Sequence, residues 1–261
     1  MKSILSRGQV SVDGHVTTKH NHPLSPGQIV GILSNAASIR LSELIGINII
    51  HEDDSIIVIN KDAGILSMAA SRSKDWDAYR QLTDYVKKEK RSNRIYIVHR
   101  LDRDTSGVMV YAKTEAAKEK LQNNWHDIVK ERTYTAVVNG NVEKEEGTVS
   151  SWLKETEAMK VYSTNDKKEG KHAVTHYKKL AGNDDYSMME VELETGRKNQ
   201  IRVHMLDIGH PIVGDRKYGA LDSPIRRLAL HATTLSFLHP MTDKLVRYTV
   251  KPPQSFMNLV K

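Results

Sequence analysis

The residues best suited to chemistry lie in one short stretch of the chain, residues 99–113. It sets the carboxylate of Asp102 among the basic side chains of His99, Arg100 and Arg103, just before a Thr-Ser-Gly turn. Nearby cations keep a carboxylate ionised. An ionised carboxylate can act as a nucleophile or as a general base, so Asp102 is a catalytic candidate.

Two apolar runs flank this stretch and predict the strands that position it. Residues 95–98 are apolar and β-branched, and residues 108–112 form a second such run. A loop between two buried strands is a rigid platform of the kind that often holds catalytic groups. By local composition alone, aspartates such as Asp102 and Asp104 are more often turn formers that pair with neighbouring arginines at the surface.

The stretch resembles the signature of a known enzyme family. His-Arg-Leu-Asp, then Thr-Ser-Gly and an apolar strand ending in Ala-Lys, is similar to the RluA-like family of pseudouridine synthases. Further blocks of the same likeness follow in family order at 131–140, 194–219 and 230–240, and the likeness extends from about Ile47 to the C-terminus. It implies an RNA-modifying isomerase that needs no cofactor or metal, on a mixed α+β fold with mainly antiparallel sheet.

The resemblance also implies three catalytic groups. Asp102 acts as nucleophile or base on the sugar of a uridine, and the guanidinium of Arg202, in the motif Gln-Ile-Arg, keeps that carboxylate charged. The ring of Tyr134 packs against the base, and its hydroxyl can assist proton removal. Taken alone, a strand tyrosine is more often half-buried packing.

Three substrate-binding residues are implied as well. A base inside folded RNA must flip out before it can be modified, and Arg100 matches the arginine that enters the RNA stack. Leu230 matches an apolar residue that closes the floor of the pocket, and His99 orients the loop. The chain departs from the family at Asn199, where a histidine is usual; we expect altered substrate contacts and retained activity.

Composition agrees with an anionic partner. The 261 residues carry a formal net charge of +7 and a pI near 9.3, which favours an anionic partner. The resemblance implies that this partner is RNA, ribosomal or transfer. The chain has no cysteine, which excludes disulfides, cysteine-based zinc sites and thiolate nucleophiles. Imidazole can also bind zinc, but the spacing of four candidate histidines fits no compact ligand pattern: His204, His210, His231 and His239.

The chain shows no membrane or export signal. No apolar run approaches the roughly 20 residues that a membrane helix needs, and the N-terminus lacks a signal-peptide core. We therefore expect a cytoplasmic protein, for which a monomer would suffice.

The sequence predicts a short N-terminal piece before the catalytic domain. Residues 1–46 resemble the end of a small S-four-type RNA-binding module plus a linker, or alternatively form a hairpin that packs on the main domain. Residues 47–261 form the catalytic domain. Periodicity predicts a helix over 75–90 and a second helix capped by Thr114.

Two functions from other classes remain open at the level of sequence. The first is a non-catalytic RNA-binding or ribosome-assembly protein with the same fold, which the intact Asp102, Tyr134 and Arg202 disfavour. The second is a carboxylate-dependent hydrolase acting on a nucleoside. It would need a second acid or base near Asp102, and only Asp104 lies close in sequence.

Overall fold

The structure, a computed structural model, describes residues 4–5, 9–13, 15–17, 19–33, 44–69, 77–220 and 223–261. They form a mixed α+β fold with mainly antiparallel sheet, which is the predicted class. The chain divides into two compact units. The first, here the loop unit, comprises Met1–Arg103, Met109–Trp125 and Pro240–Asp243, and the second, here the sheet unit, comprises Asp104–Val108, His126–His239 and Lys244–Lys261.

The loop unit begins with a small antiparallel sheet in the order β2-β1-β3. An antiparallel strand pair, two helices and two further strands follow. The elements are β1 (Val10–Val12), β2 (His15–Thr17), β3 (Val30–Ile32), β4 (Ile47–Glu52), β5 (Ile56–Lys61), α1 (Ala78–Glu89), β6 (Tyr96–Ile97), β7 (Ser106–Ala112) and α2 (Glu115–Asn123). Strand β7 begins in the sheet unit and continues in the loop unit.

The predicted strands and helices of the loop unit follow from their apolar patterns. Strands β5 and β7 are buried along almost their whole length, as expected for continuous apolar runs. Helix α1 buries Leu82 and Val86, and the carboxylate of Asp77 caps its start. Thr114 caps α2 as predicted, because its hydroxyl accepts a hydrogen bond from the Ala117 amide. Residues 75–76 of the first predicted helix lie outside the described residues.

The sheet unit is built on antiparallel strands in the order β10-β9-β11-β12-β8-β13. Strand β14 pairs antiparallel with β13, and the first residues of β7 pair parallel with β13. The elements are α3 (Trp125–Ile128), β8 (Val129–Asn139), β9 (Glu146–Glu155), β10 (Val161–Thr164), β11 (Lys171–Gly182), β12 (Tyr186–Leu193), α4 (Gln200–Asp207), β13 (Leu230–Leu238), β14 (Leu245–Thr249) and α5 (Gln254–Leu259).

Two helices close the apolar core of the sheet unit. Ile201 and Met205 of α4, together with Phe256 of α5, are buried among side chains of strands β8, β12 and β13. Helix α4 carries the Gln-Ile-Arg motif, so this packing fixes the helix on which Arg202 stands.

Candidate active site

The loop that carries Asp102 is held from one side by Ser67. The Ser67 hydroxyl donates to the Leu101 carbonyl at 2.7 Å and accepts from the Leu101 amide at 3.1 Å. The carbonyl of Ser67 in turn accepts from the Tyr111 hydroxyl at 2.8 Å, inside strand β7. Ser67 is 2% exposed, so these bonds form away from water. The residue before Asp102 therefore has a fixed position.

A buried lysine holds the same loop on its other side. Lys61, at the end of β5, is 0% exposed. Its ammonium donates to the carbonyls of Asp62 at 3.0 Å, Ile65 at 2.7 Å and Arg103 at 3.1 Å. The amide of Gly64 also donates to the Arg103 carbonyl, at 2.9 Å. Because both neighbours of Asp102 are tied to residues 61–67, its backbone is fixed while its side chain stays half-buried.

His99 connects the start of the loop to its surroundings. Its Nε2 accepts a hydrogen bond from the amide of Val110 at 3.1 Å, so that nitrogen carries no proton in this arrangement. Its ring also lies 4.6 Å from the ring of Trp125, centroid to centroid. These contacts agree with an orienting role. The next residue, Arg100, is exposed.

The end of the loop is fixed inside the sheet unit. Ser106 and Gly107 pair in parallel with His231 and Ala232 of β13. Gly107 has φ +118°, and a Cβ there would lie 2.1 Å from the Ala232 carbonyl oxygen, so only glycine fits. The close contact between the backbones of Gly107 and Ala232 fixes the position at which β7 begins.

A buried polar chain supports that pairing. Arg227 donates to the Ser106 hydroxyl at 2.6 Å, and Ser106 lies 2.7 Å from Nδ1 of His231. Burial lowers the pKa of His231 to about 4, so the ring is neutral near pH 7. The Ser106 hydroxyl then donates to Nδ1, while Nε2 donates to the Val250 carbonyl at 3.3 Å.

Arg202 is clamped by a carboxylate of its own unit. Its Nε and Nη2 donate to the two carboxylate oxygens of Asp215, each at 2.7 Å. The side chain of Asp215 is 0% exposed and that of Arg202 is 12% exposed. A two-point pair of this kind fixes the plane of the guanidinium as well as its position.

Asn199 and Tyr218 complete the surroundings of Arg202. Nη1 of Arg202 donates to Asn199 Oδ1 at 3.1 Å, and its guanidinium lies 4.9 Å from the centroid of the Tyr218 ring. The Asn199 amide nitrogen donates to the Tyr218 hydroxyl at 3.0 Å. Asn199 has φ +55°, a left-handed conformation that asparagine tolerates well. This residue is 7% exposed, and both ends of its amide contact protein.

Tyr134 and Leu230 lie on neighbouring strands of the sheet unit. Tyr134 pairs with Ala232 and Leu230 pairs with Ala136, so their side chains share one face of the sheet. Tyr134 is half-buried against the apolar cluster that contains Leu230. This surface could take the flat face of a base.

Two general properties of the described residues bear on the site. They contain no group of three or more histidine or carboxylate side chains placed to hold a metal ion. None of the helices described here combines the length and the apolar character needed to cross a bilayer.

Comparison with known proteins decides the family. A family model described as RNA pseudouridylate synthase matches residues 55–207. The chain belongs to the RNA pseudouridylate synthase family. It is an RNA pseudouridine synthase, an isomerase, and the resemblance found in its sequence motifs is confirmed. Membership in this family excludes the alternative function of a hydrolase acting on a nucleoside.

Relatives of this pseudouridine synthase cover most or nearly all of the chain. It is 33% identical over 258 residues to the uncharacterized RNA pseudouridine synthase YjbO of Bacillus subtilis, covering 97% of this chain and 90% of the relative. It is 35% identical over 233 residues to the ribosomal large subunit pseudouridine synthase D of Haemophilus influenzae, covering 84% of this chain and 71% of the relative. The solved structure of the human protein called RNA Pseudouridylate Synthase Domain Containing 4 shares the fold, with a TM-score of 0.67 and 24% identity. The match covers 81% of this chain and 90% of the human one.

The six predicted site residues of the synthase divide evenly between the units. The loop unit contains His99, Arg100 and Asp102, and the sheet unit contains Tyr134, Arg202 and Leu230. Within the sheet unit, Tyr134, Leu230 and the helix of Arg202 share one apolar cluster. The roles of all six residues stay predictions.

Sequence reasoning missed the residues that hold these groups in place. Lys61 and Ser67 fix the loop, and Asp215 fixes Arg202. Two signals were visible in the sequence. One is a lysine at the end of a continuous apolar strand, and the other is the aspartate of a Gly-Asp pair in the motif block at 194–219. Neither signal indicates which backbone or side chain it contacts.

Proposed function

We propose that this pseudouridine synthase isomerises specific uridines in structured ribosomal or transfer RNA. Large-subunit ribosomal RNA is the favoured substrate, because several relatives are named for it. The reaction breaks the bond between C1′ and N1, turns the uracil and joins C1′ to C5. The proton on C5 is lost and N1 gains one, so atoms and electrons balance without a redox cofactor. As a monomer the chain would act in the cytoplasm.

The observation that carries the proposal is the double anchoring of the backbone around Asp102. A carboxylate that attacks C1′ or removes a proton from the sugar must be held in place before the substrate arrives. The bonds from Ser67 to Leu101 and from Lys61 to Arg103 supply that rigidity. The half-buried side chain remains reachable from solvent. Both roles, nucleophile and base, are compatible with this geometry.

The remaining site residues have roles that suit their surroundings. Arg202 is the proposed cation of the site, and Asp215 keeps its guanidinium in one orientation. Tyr134 and Leu230 provide an apolar surface for the uracil. Exposed Arg100 fills the gap that the flipped base leaves in the RNA stack, since a planar guanidinium stacks well.

The proposal is tested by mapping pseudouridines in ribosomal and transfer RNA from cells that lack this protein. Wild type should restore the missing position, whereas Asp102→Ala should not. Asp104→Ala is the matched control, because Asp104 is an exposed carboxylate of the same loop with no proposed role. With purified protein and the mapped RNA, Asp102→Asn should lower the rate at least about 100-fold.

Two outcomes would contradict the proposal. Restoration of the site by Asp102→Ala would remove the carboxylate from the mechanism. A deletion that removes no pseudouridine, with tight RNA binding by the pure protein, would favour a non-catalytic RNA-binding protein with the same fold.

A further inference from the structure

A dense group of cations surrounds the end of helix α1, outside every block of the family motif. Five basic residues fall within residues 87–94, and all five are exposed. We call them the α1 patch: Lys87, Lys88, Lys90, Arg91 and Arg94. Glu89 is the one acidic residue in the same range. The segment therefore carries more positive charge than it can neutralise by itself.

Local structure accounts for part of this charge. Lys87 and Lys88 lie in the last turn of α1, where cations interact favourably with the helix dipole. Arg94 donates to the carbonyls of Arg91 and Asn93 at 3.1 and 3.0 Å, which closes the turn after the helix. Lys90 is the C-cap of α1 and Arg91 follows it, and the turn uses the backbone carbonyl of Arg91 without requiring its charge.

The patch lies close in the chain to the proposed catalytic loop. Arg94 precedes His99 by five positions, and strand β6 lies between them. An extended chain spans at most about 3.6 Å per residue, so the backbones of Arg94 and His99 lie within about 18 Å of each other. Phosphates of one nucleic-acid strand follow each other every 3.4 Å or so along a helix. About five nucleotides of such a strand would cover that distance.

We propose that the α1 patch binds the phosphate backbone of RNA that flanks the target uridine. This inference rests on the proposed function only in placing the target at the Asp102 loop. Phosphates that replace counterions around Lys87, Lys90 and Arg91 would add affinity without sequence preference. An acidic protein or an anionic membrane would also fit the charge, but RNA is the substrate class of this family.

The test compares two variants that lose the same charge at different places. Lys87→Gln, Lys90→Gln and Arg91→Gln together remove three cations of the patch and spare Arg94, whose side chain closes the turn. The matched control replaces three exposed lysines of the sheet unit by glutamine: Lys144, Lys178 and Lys244. Circular dichroism melting of both variants verifies that they fold like wild type.

The measured quantity is the Kd for a fluorescent oligouridylate of about 20 nucleotides, followed by anisotropy from roughly 50 to 300 mM KCl. A contact to single-stranded phosphate contributes roughly 0.7 to the slope of log Kd against log salt. The slope for the patch variant should therefore be smaller than the wild-type slope by about 2, and the control variant should keep the wild-type slope.

Each other outcome overturns the inference. Equal slopes for the two variants would mean that only net charge matters. Loss of binding to phosphatidylglycerol vesicles without loss of RNA binding would assign the patch to a membrane, and selective loss of polyglutamate binding would assign it to an acidic protein. Oligouridylate binding is measured without turnover, so a wrong substrate RNA or a wrong catalytic residue would leave this result unchanged.

Discussion

At the scale of single residues, the site depends on buried polar side chains that hold other groups in place. Ser67 and Lys61 tie down the backbone on both sides of Asp102, and Asp215 fixes the guanidinium of Arg202. Each makes its bonds in a region with little water, where a hydrogen bond is strong and an unsatisfied polar group is costly. Their removal should therefore change both stability and catalysis.

Ser67→Ala should reduce kcat about 10- to 100-fold while leaving the affinity for RNA unchanged. The substitution removes both bonds to Leu101 and costs about 1–3 kcal/mol of unfolding free energy. Ser55→Ala is the control, because that buried hydroxyl bonds to the carboxylate of Asp53. Steady-state kinetics and urea denaturation provide the readouts. A kcat loss of the same size in both variants would refute positioning by Ser67.

Asp215→Ala should cost about 3–5 kcal/mol, because it leaves the largely buried guanidinium of Arg202 without its carboxylate. Glu131 makes a similar two-point pair with Arg247, but that arginine is 57% exposed. Glu131→Ala should therefore cost less than about 1 kcal/mol. Urea denaturation of both variants measures the difference. Similar costs would show that burial does not set the strength of the Asp215 pair.

At the scale of elements, the loop that carries Asp102 is defined by the strands that it joins. Strand β7 must approach β13 so closely that position 107 has no room for a side chain. Two residues of parallel pairing at this point fix where the loop ends. Local propensity alone places the strand but does not reveal the close approach.

Gly107→Ala should cost more than about 4 kcal/mol or prevent folding, because its Cβ would overlap the Ala232 carbonyl at 2.1 Å. Gly209→Ala is the control, since Gly209 also has positive φ, +84°, with no atom within 4 Å of an added Cβ. It should cost only about 1–2 kcal/mol, from backbone strain. Thermal unfolding of the two proteins gives the comparison. Equal costs would assign the effect at Gly107 to φ alone.

At the scale of the whole molecule, buried histidines should make the fold sensitive to mild acid. Burial lowers the pKa of His204 and that of His231 to about 4 each. His204 contacts the hydroxyls of Thr175 and Ser151 at 2.8 and 3.0 Å inside the sheet unit. In the unfolded chain both rings bind a proton near pH 6.5. Protonation therefore favours the unfolded state.

The free energy of unfolding should be unaffected by these histidines above about pH 6.5, where both rings are neutral in the folded and the unfolded chain. It should fall as the pH drops towards 4. Each can account for up to about 3 kcal/mol of the loss. Urea denaturation at several pH values should show a flatter dependence for His204→Gln. His20→Gln, at an exposed position, is the control for loss of a histidine. A wild-type stability that is constant from pH 7 to 5 would contradict the prediction.

Local sequence signals were sufficient to predict the family, the fold class and the strands and helices that flank the loop. These signals are motif blocks in family order, continuous apolar runs and a threonine cap, and each can be read without knowing what packs against it. Residue type and motif also marked Asp102, Tyr134 and Arg202 as candidates. Their roles still await experiment.

The contacts that hold these candidates in place emerged only from the packed fold. Asn199 shows the difference. Altered substrate contacts at this position stay a prediction, and only the packed fold shows that its amide bonds to Arg202 and Tyr218. Likewise, Ser67 lies 34 positions before Leu101, and Ser106 lies 125 positions before His231. Contacts at such separations depend on how elements pack, since neither partner's local sequence specifies the other.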